Sequence, residues 1–343
     1  MKVIWQSPSN IALIKYWGKH DKQLPNNPSL SLTLSKANTT TSLALEKKSS
    51  KKKIDLAFTF EGKENRKFSE KIETYLSSLA TDFPWLEGHR LLVNSENSFP
   101  HSAGIASSAS AMSALAVCLL SMDSKLKKKK NRSDFFELAS FYARLGSGSA
   151  ARSVYGKFSV WGKTKEIKNS SNKFAVPFPV KFHRSFENLQ DTILIVHDGE
   201  KNVSSSAGHA LMRHHPMEKQ RYRNANNRLK EILSAFKKGD WESFCIINES
   251  EALELHALMM TSNPSYILMK PESLALIEKI QTFRKKTKIP ISFTLDAGPN
   301  VHLLYPDSEK KKVQYFISNE LLPFCADGKV IYDEMGNGPK QIS

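Results

Sequence analysis

Val3 to Lys15, Ser29 to Leu34, Thr39 to Glu46 and Ile54 to Phe60 carry apolar, β-branched or alternating residues between turn signals, the pattern of strands. The first part of the chain is therefore expected to be rich in sheet. Phe68 to Leu79 switches to helical spacing, Arg90 to Val93 returns to strand, and Ile105 to Ser121 is apolar and small enough for a buried helix. Another helix is expected from Ser133, with Phe136 and Glu137 in N-capping register, to Leu145. Val154 to Trp161 and Thr192 to Val196 read as further strands. After them the texture changes. His214 to Phe236 and Trp241 to Met260 are long helical patterns, and Pro271 to Lys286 is a third with proline in its first turn. Ile291 to Leu295 and Val301 to Tyr305 return as strands around DAGPN, followed by a helix from about Asp307 to Asn319 and a last strand near Val330. Strands and helices mixed without regular alternation predict an α+β fold rather than a doubly wound sheet. No repeat or low-complexity linker divides the chain, so two domains are expected to meet at a short connection, 1–185 and 186–343.

Composition narrows the class. With 343 residues, 40% hydrophobic and 24% charged, the chain falls in the globular range, which excludes collagen-like, disordered and disulfide-scaffold classes. The weakly polar stretch from Ala109 to Met122 is broken by serines and shorter than the ~20 residues of a spanning helix, so no membrane is expected. The opening MKVIWQSPSN lacks the apolar core of a signal peptide. Three widely separated cysteines, Cys118, Cys245 and Cys325, suit reduced thiols in a cytoplasmic protein. The +16 net charge raises nucleic acid, acidic membrane or an anionic substrate as partners. Much of it sits in runs at Lys47 to Lys53, Lys125 to Lys130 and Arg284 to Lys288, beside turns and helix ends and without interleaved aromatics. Those runs read as solvated surface, and no nucleic-acid partner is expected.

Candidate chemistry concentrates in four segments. NSFPHSAGIASSASAMSAL, from Asn97 to Leu115, leads a row of small residues into a helix, where free amides and the helix dipole attract phosphate. Ser107 and Ser108 add hydroxyls for phosphate or magnesium; a tight helix-packing turn is the alternative. RLGSGSAARS gathers Ser147, Ser149 and Arg152, a set that suits an oxyanion or simply a flexible connector. NIALIKYWGKHD brings Asn10, Lys15, Tyr16, Trp17 and Lys19 together, which an ordinary half-buried strand would also explain. TLDAGPN puts Asp296 at the end of an apolar strand, either capping the turn or acting as acid or base. His209, His214 and His215 cluster without a metal-ligand spacing.

In that order and at those separations, the four segments resemble the mevalonate diphosphate decarboxylases of the GHMP kinase superfamily, with VSSSAG at Val203 to Gly208 as a fifth match. The resemblance runs from about Asn10 to Tyr305. It implies a GHMP kinase fold, with a sheet-rich N-terminal nucleotide-binding domain and a ferredoxin-like C-terminal domain, and a homodimer. It also implies ATP, Mg2+ and conversion of (R)-5-diphosphomevalonate to isopentenyl diphosphate. By motif, Pro100, Ala103, Gly104, Ile105, Ala106, Ser107, Ser108 and Ala109 would hold the nucleotide phosphates, with Ser107 and Ser108 near the metal. Substrate contacts would come from Asn10, Tyr16, Trp17, Gly18, Lys19, Ser147, Gly148, Ser149, Ala150, Ala151, Arg152 and Ser206. Asp296 would take the tertiary hydroxyl, Lys15 would steady Asp296 or the transferring phosphoryl, and Arg152 would fix the substrate carboxylate. The chain departs from the family pattern at His101, Ser102, Ile105 and Ala151, and His209 stands where a methionine is usual. The family's diphosphate-binding arginine has no clear counterpart, which leaves Lys71 as the candidate cation. A 5-phosphomevalonate decarboxylase, a mevalonate-type kinase, and a basic RNA- or lipid-binding protein are the competing readings; Asp296 together with Arg152 argues against a pure kinase.

Overall fold

A computed structural model describes residues 1–100, 105–129, 132–179, 181–199 and 203–343. Its first sheet grows from two long antiparallel strands, β1 (Lys2–Ile14) and β4 (Ser29–Lys47), joined through a small hairpin of β2 (Lys19–His20) and β3 (Leu24–Pro25). β7 (His89–Asn97) lies on the far side of β4, β5 (Asp55–Phe60) runs parallel to it, and β6 (Lys63–Glu64) closes that edge. The first part of β4 also pairs with β8 (Phe158–Trp161), which carries β9 (Ala175–Pro177). The second sheet has the order β11 (Ser292–Thr294), β12 (Val301–Pro306), β10 (Leu189–Leu194), β13 (Val330–Glu334). β14 (Lys340–Gln341) then returns to the first sheet and pairs with β1 at Trp5 and Gln6.

Helices cover both sheets. α1 (Arg66–Ser78), α2 (Trp85–Gly88), α3 (Ser107–Leu126) and α4 (Phe135–Gly146) belong to the first half. α5 (Ser205–Ala210), α6 (Glu218–Lys238), α7 (Trp241–Met260), α8 (Pro271–Thr287) and α9 (Lys310–Phe316) belong to the second. α3 is buried almost all round, which explains why its sequence is apolar without a polar stripe. A row of small polar groups seats it on the sheet: Ser110 on Thr39 at 2.6 Å, Ser113 on Ser7 at 3.2 Å, and Ser121 accepting from Trp5 Nε1 at 2.8 Å. A second apolar cluster joins Ile11, Leu13, Leu30 and Phe158 of the first sheet to Leu229 and Phe236 of α6 and Phe244 of α7. This packing holds the end of β1 against α7, where the site lies.

Several expected boundaries move, each for a local reason. Ser29 to Leu34 and Thr39 to Glu46 form one strand, because the Asp333 carboxylate accepts the amides of Ser35, Lys36 and Ala37 at 2.7–2.9 Å and no turn intervenes. Helix α3 starts at Ser107, since Ala106 takes a left-handed φ of +47°. The cap of α4 is Asp134 rather than Ser133, and its carboxylate is held by Arg132 at 2.8 Å instead of capping the helix. β8 begins only at Phe158, after Lys157 at φ +59°, and α6 begins only at Glu218, after His214 at φ +68° and Pro216. The helix expected from Asp307 is a 3-10 turn, α9 and a π-turn in succession.

Candidate active site

Lys15 follows directly on β1, and three groups hold its main chain. Its N–H donates to Glu251 Oε2 at 2.8 Å, while its carbonyl accepts from Arg221 and from Asn27 Nδ2, both at 2.9 Å. Arg221 and Glu251 are themselves a fully buried ion pair at 2.6 Å. The Lys15 ammonium, its side chain 2% exposed, then meets Asp296 Oδ1 at 3.0 Å. Burial lowers the Lys15 pKa and the Asp296 carboxylate opposes that shift. Asp296 lies in the turn after β11, and its carbonyl accepts from His256 Nε2 at 3.1 Å and from the Gly298 amide at 2.7 Å. A charged donor thus sits on a carboxylate that is still a quarter exposed.

Arg152 lines the same cavity as Lys15 and Asp296, at the end of the 3-10 turn Gly148–Ala151 after α4. It is 2% exposed, donating from Nη1 to Ser29 Oγ at 2.6 Å and from Nε to Asn10 Oδ1 at 3.4 Å. Asn10 is oriented for this by its own amide, which donates to Ser153 Oγ at 2.7 Å and to the Ser149 carbonyl at 3.3 Å. Burial brings Arg152 down to about 10 against the pull of Asp296 and Tyr16. Among the described residues no carboxylate forms an ion pair with it. The Tyr16 hydroxyl is also buried without a protein partner, and burial pushes its pKa up. Gly148 is needed here, because an added Cβ would fall 2.8 Å from Tyr16 Oη and 3.0 Å from Trp161.

These groups share one cavity of about 200 Å³. Its wall brings together Asn10, Lys15, Tyr16, Trp17, Lys19, Ala106, Ser108, Ser147, Gly148, Ser149, Arg152, Ser206 and Asp296, from all five matching segments. Lys71 reaches it from α1, and Lys19, which donates to Gln23 Oε1 at 3.0 Å, is lowered in pKa by burial and by Lys71. Other expected residues lie elsewhere. Ile105 and Ala109 are packed in the apolar core, Ala150 and Ala151 are buried behind the turn, and Pro100 is exposed away from the wall. Gly18 contributes its amide to His209 instead. Ala103 and Gly104 lie outside the described residues, as do His101 and Ser102.

Next door lies a narrower, largely apolar cavity of about 90 Å³. Phe58, Phe60, Phe68, Ile72, Val93 and Met112 line it, and it shares Lys71 and Ser108 with the first cavity. Ser107 stands at its side, at the head of α3, where Ala106 supplies no side-chain cap to the first amides. Those amides and the dipole of a 20-residue helix face the junction of the two cavities, an arrangement that receives phosphate. Sequence reasoning missed this slot and also Gln23 and Leu255 of the first cavity, and it marked His209 only as a departure from the family pattern. Phe58 and Phe60 alternate as in any core strand, so only the fold could separate slot from core.

Family models match nearly the whole chain: the diphosphomevalonate decarboxylase-like N-terminal domain over residues 7–173, and the mevalonate 5-diphosphate decarboxylase C-terminal domain over residues 192–342. The diphosphomevalonate decarboxylase of Ganoderma lucidum is 30% identical over 329 residues, 90% of this chain and 79% of its own length. The chain belongs to the diphosphomevalonate decarboxylase family. Its relative from Debaryomyces hansenii, also a diphosphomevalonate decarboxylase, is 28% identical and covers 98% of this chain and 94% of its own. Among solved structures, MDDEF in complex with MVAPP, AMPPCP and magnesium covers 100% of this chain and 99% of its own at 30% identity, with a TM-score of 0.85. The mevalonate diphosphate decarboxylase of Staphylococcus aureus follows at 28% identity, 100% and 98% coverage and a TM-score of 0.84. As a diphosphomevalonate decarboxylase family member, the chain has the mixed α+β architecture of these relatives.

Proposed function

We propose that this protein catalyses the ATP-dependent decarboxylation of (R)-5-diphosphomevalonate to isopentenyl diphosphate, with release of ADP, phosphate and carbon dioxide. One observation carries the chemistry: a buried Arg152, with no ion-pair partner among the described residues, lines the same cavity as the Lys15–Asp296 pair. A β-hydroxy acid does not lose carbon dioxide readily while hydroxide is the leaving group, so the tertiary hydroxyl is phosphorylated first. Asp296 accepts the hydroxyl proton as the oxygen takes the γ-phosphoryl group of ATP, and Lys15 donates to that carboxylate and aims it. Phosphate then leaves with the C–O electron pair. Arg152 holds the substrate carboxylate so that its C–C bond aligns with the departing phosphate, and those bond electrons form the new double bond as carbon dioxide separates. The positive charge building at the tertiary carbon is tolerated beside Asp296.

The head of α3 receives the nucleotide phosphates in this reading, and the apolar slot lined by Phe58, Phe60 and Met112 takes the base. Ser107 and Ser108 offer hydroxyls to magnesium, which when bound neutralises charge on the phosphates. Lys19 and Lys71 take the substrate's diphosphate. The assay is direct: incubate the protein with ATP, magnesium and mevalonate, its 5-phosphate or its 5-diphosphate, and measure carbon dioxide and ADP. Carbon dioxide from the diphosphate is expected; ADP release without it would make the protein a kinase.

A homodimer is part of the proposal. On α7, Ile246, Leu253 and Met260 recur every seven residues and are 60%, 40% and 40% exposed, an apolar row that a second copy would cover. Light scattering should give twice the chain mass of 38.7 kDa, falling toward one chain in a Leu253→Glu variant.

A further inference from the structure

Among the described residues, the imidazole of His209, on α5, has one hydrogen-bond partner. Its Nδ1 accepts the Gly18 N–H at 3.0 Å. Its ring lies against Tyr16 and Trp17, with centroids 4.3 and 4.6 Å apart. Two glycines make this approach possible. Gly18 has φ +94°, and a Cβ there would fall 2.2 Å from Tyr222 Oη; a Cβ on Gly208 would fall 2.6 Å from Trp17. His209 is 8% exposed and lines the cavity that also holds Lys19, Arg152 and Asp296.

A main-chain amide can only donate, so Nδ1 carries a lone pair and the single proton of the neutral ring resides on Nε2. Burial, with Lys19 and then Arg152 nearby, keeps the ring neutral, holding its pKa down to about 3. Nδ1 is thus committed to Gly18, while Nε2–H has no acceptor among the described residues, on a side chain that lines the cavity.

We propose that His209 is a substrate-specificity residue whose Nε2–H donates to a phosphoryl oxygen of the bound substrate, beside Lys19. The proposal rests on the reading that this cavity takes a 5-phosphorylated hydroxy acid. Lys19 and Lys71 already repel one another across this space, and a third cation would deepen that cost. A neutral donor with a fixed direction adds a hydrogen bond to the anion without adding charge.

Asparagine and glutamine separate the two nitrogens. His209→Asn keeps an acceptor near the Nδ1 position for Gly18 and removes the distal donor, whereas His209→Gln keeps a distal donor and removes the near acceptor. Binding of 5-diphosphomevalonate without ATP, read by calorimetry, should weaken about 10- to 100-fold in His209→Asn, the size of one hydrogen bond to a charged group. His209→Gln should bind at least about fivefold tighter than His209→Asn, and the KM for ATP should stay within about twofold in both. In the wild type, 15N-labelled histidine should report the Nε2–H tautomer, and its resonance should move on saturation with inorganic pyrophosphate. Equal losses in the two variants, tighter binding by His209→Asn, or a resonance indifferent to pyrophosphate would overturn the proposal. A wild type that binds pyrophosphate through His209 yet releases no carbon dioxide would overturn the proposed activity instead.

Discussion

Lys15 and Asp296 are 281 residues apart in sequence and meet at 3.0 Å, so the strength of that meeting decides what either can do. Removing the negative charge while keeping the shape, as in Asp296→Asn, leaves the Lys15 ammonium buried without its carboxylate and takes away the proposed proton acceptor. Turnover should fall by at least ~10²-fold with nucleotide affinity little changed, measured by carbon dioxide release and by binding of a non-hydrolysable ATP analogue. Near-wild-type turnover would remove Asp296 from the reaction. His209 makes a different kind of prediction, about stability. Its folded pKa is depressed from 6.5 to about 3, so on acidification the unfolded chain takes up a proton that the folded one refuses. Stability is therefore lost as pH falls through 6.5 and keeps falling until about 3. Between pH 7 and pH 5 this one ring should cost about 2 kcal/mol, visible as a larger drop in urea midpoint for the wild type than for His209→Gln.

At the scale of elements, α3 shows how much a helix owes to small side chains. Ser7, Ser113 and Ser110 are fully buried between helix and sheet, so the helix rides close to β1 and β4. Ser113→Leu should overpack that contact and cost about 1–3 kcal/mol by chemical denaturation, with the fold retained. The same small residues made α3 legible beforehand, because a long apolar segment interrupted by serines suits a buried helix. α8, opened by Pro271, and the strands flanking DAGPN were legible for similarly local reasons. What was not legible depended on distant partners. Asp333 keeps β4 in one piece from nearly 300 residues away, and Arg132 takes the carboxylate that would otherwise cap α4. In the site, the resemblance of the motifs to the family pointed to Lys15, Arg152 and Asp296, and the fold brings the three to one cavity. Gln23 carried no signal of its own, since it depends on a hairpin placing it beside Lys19, and His209 showed only as a departure from the family's methionine, its place in the cavity depending on an amide turned by Gly18.

For the whole molecule, the +16 charge and the cations of the cavity act together on an anionic substrate. Lys15, Lys19, Lys71 and Arg152 line the cavity with Asp296 as their counter-charge. Raising KCl from roughly 50 to 500 mM shortens the screening length from above 10 Å to a few ångströms, so KM for the substrate should rise several-fold while kcat holds. A flat KM would confine recognition to short-range contacts. The placement of β14 on β1 has a consequence for biosynthesis. A ribosome delivers β1 more than 300 residues before β14, yet the two are neighbours. Until β14 is made, the edge of β1 at Trp5 and Gln6 waits with unpaired amides and carbonyls, an invitation to another nascent strand. Completion of the sheet at this edge is thus a late event in synthesis, and an early partner for the edge at Trp5 and Gln6 would compete with β14.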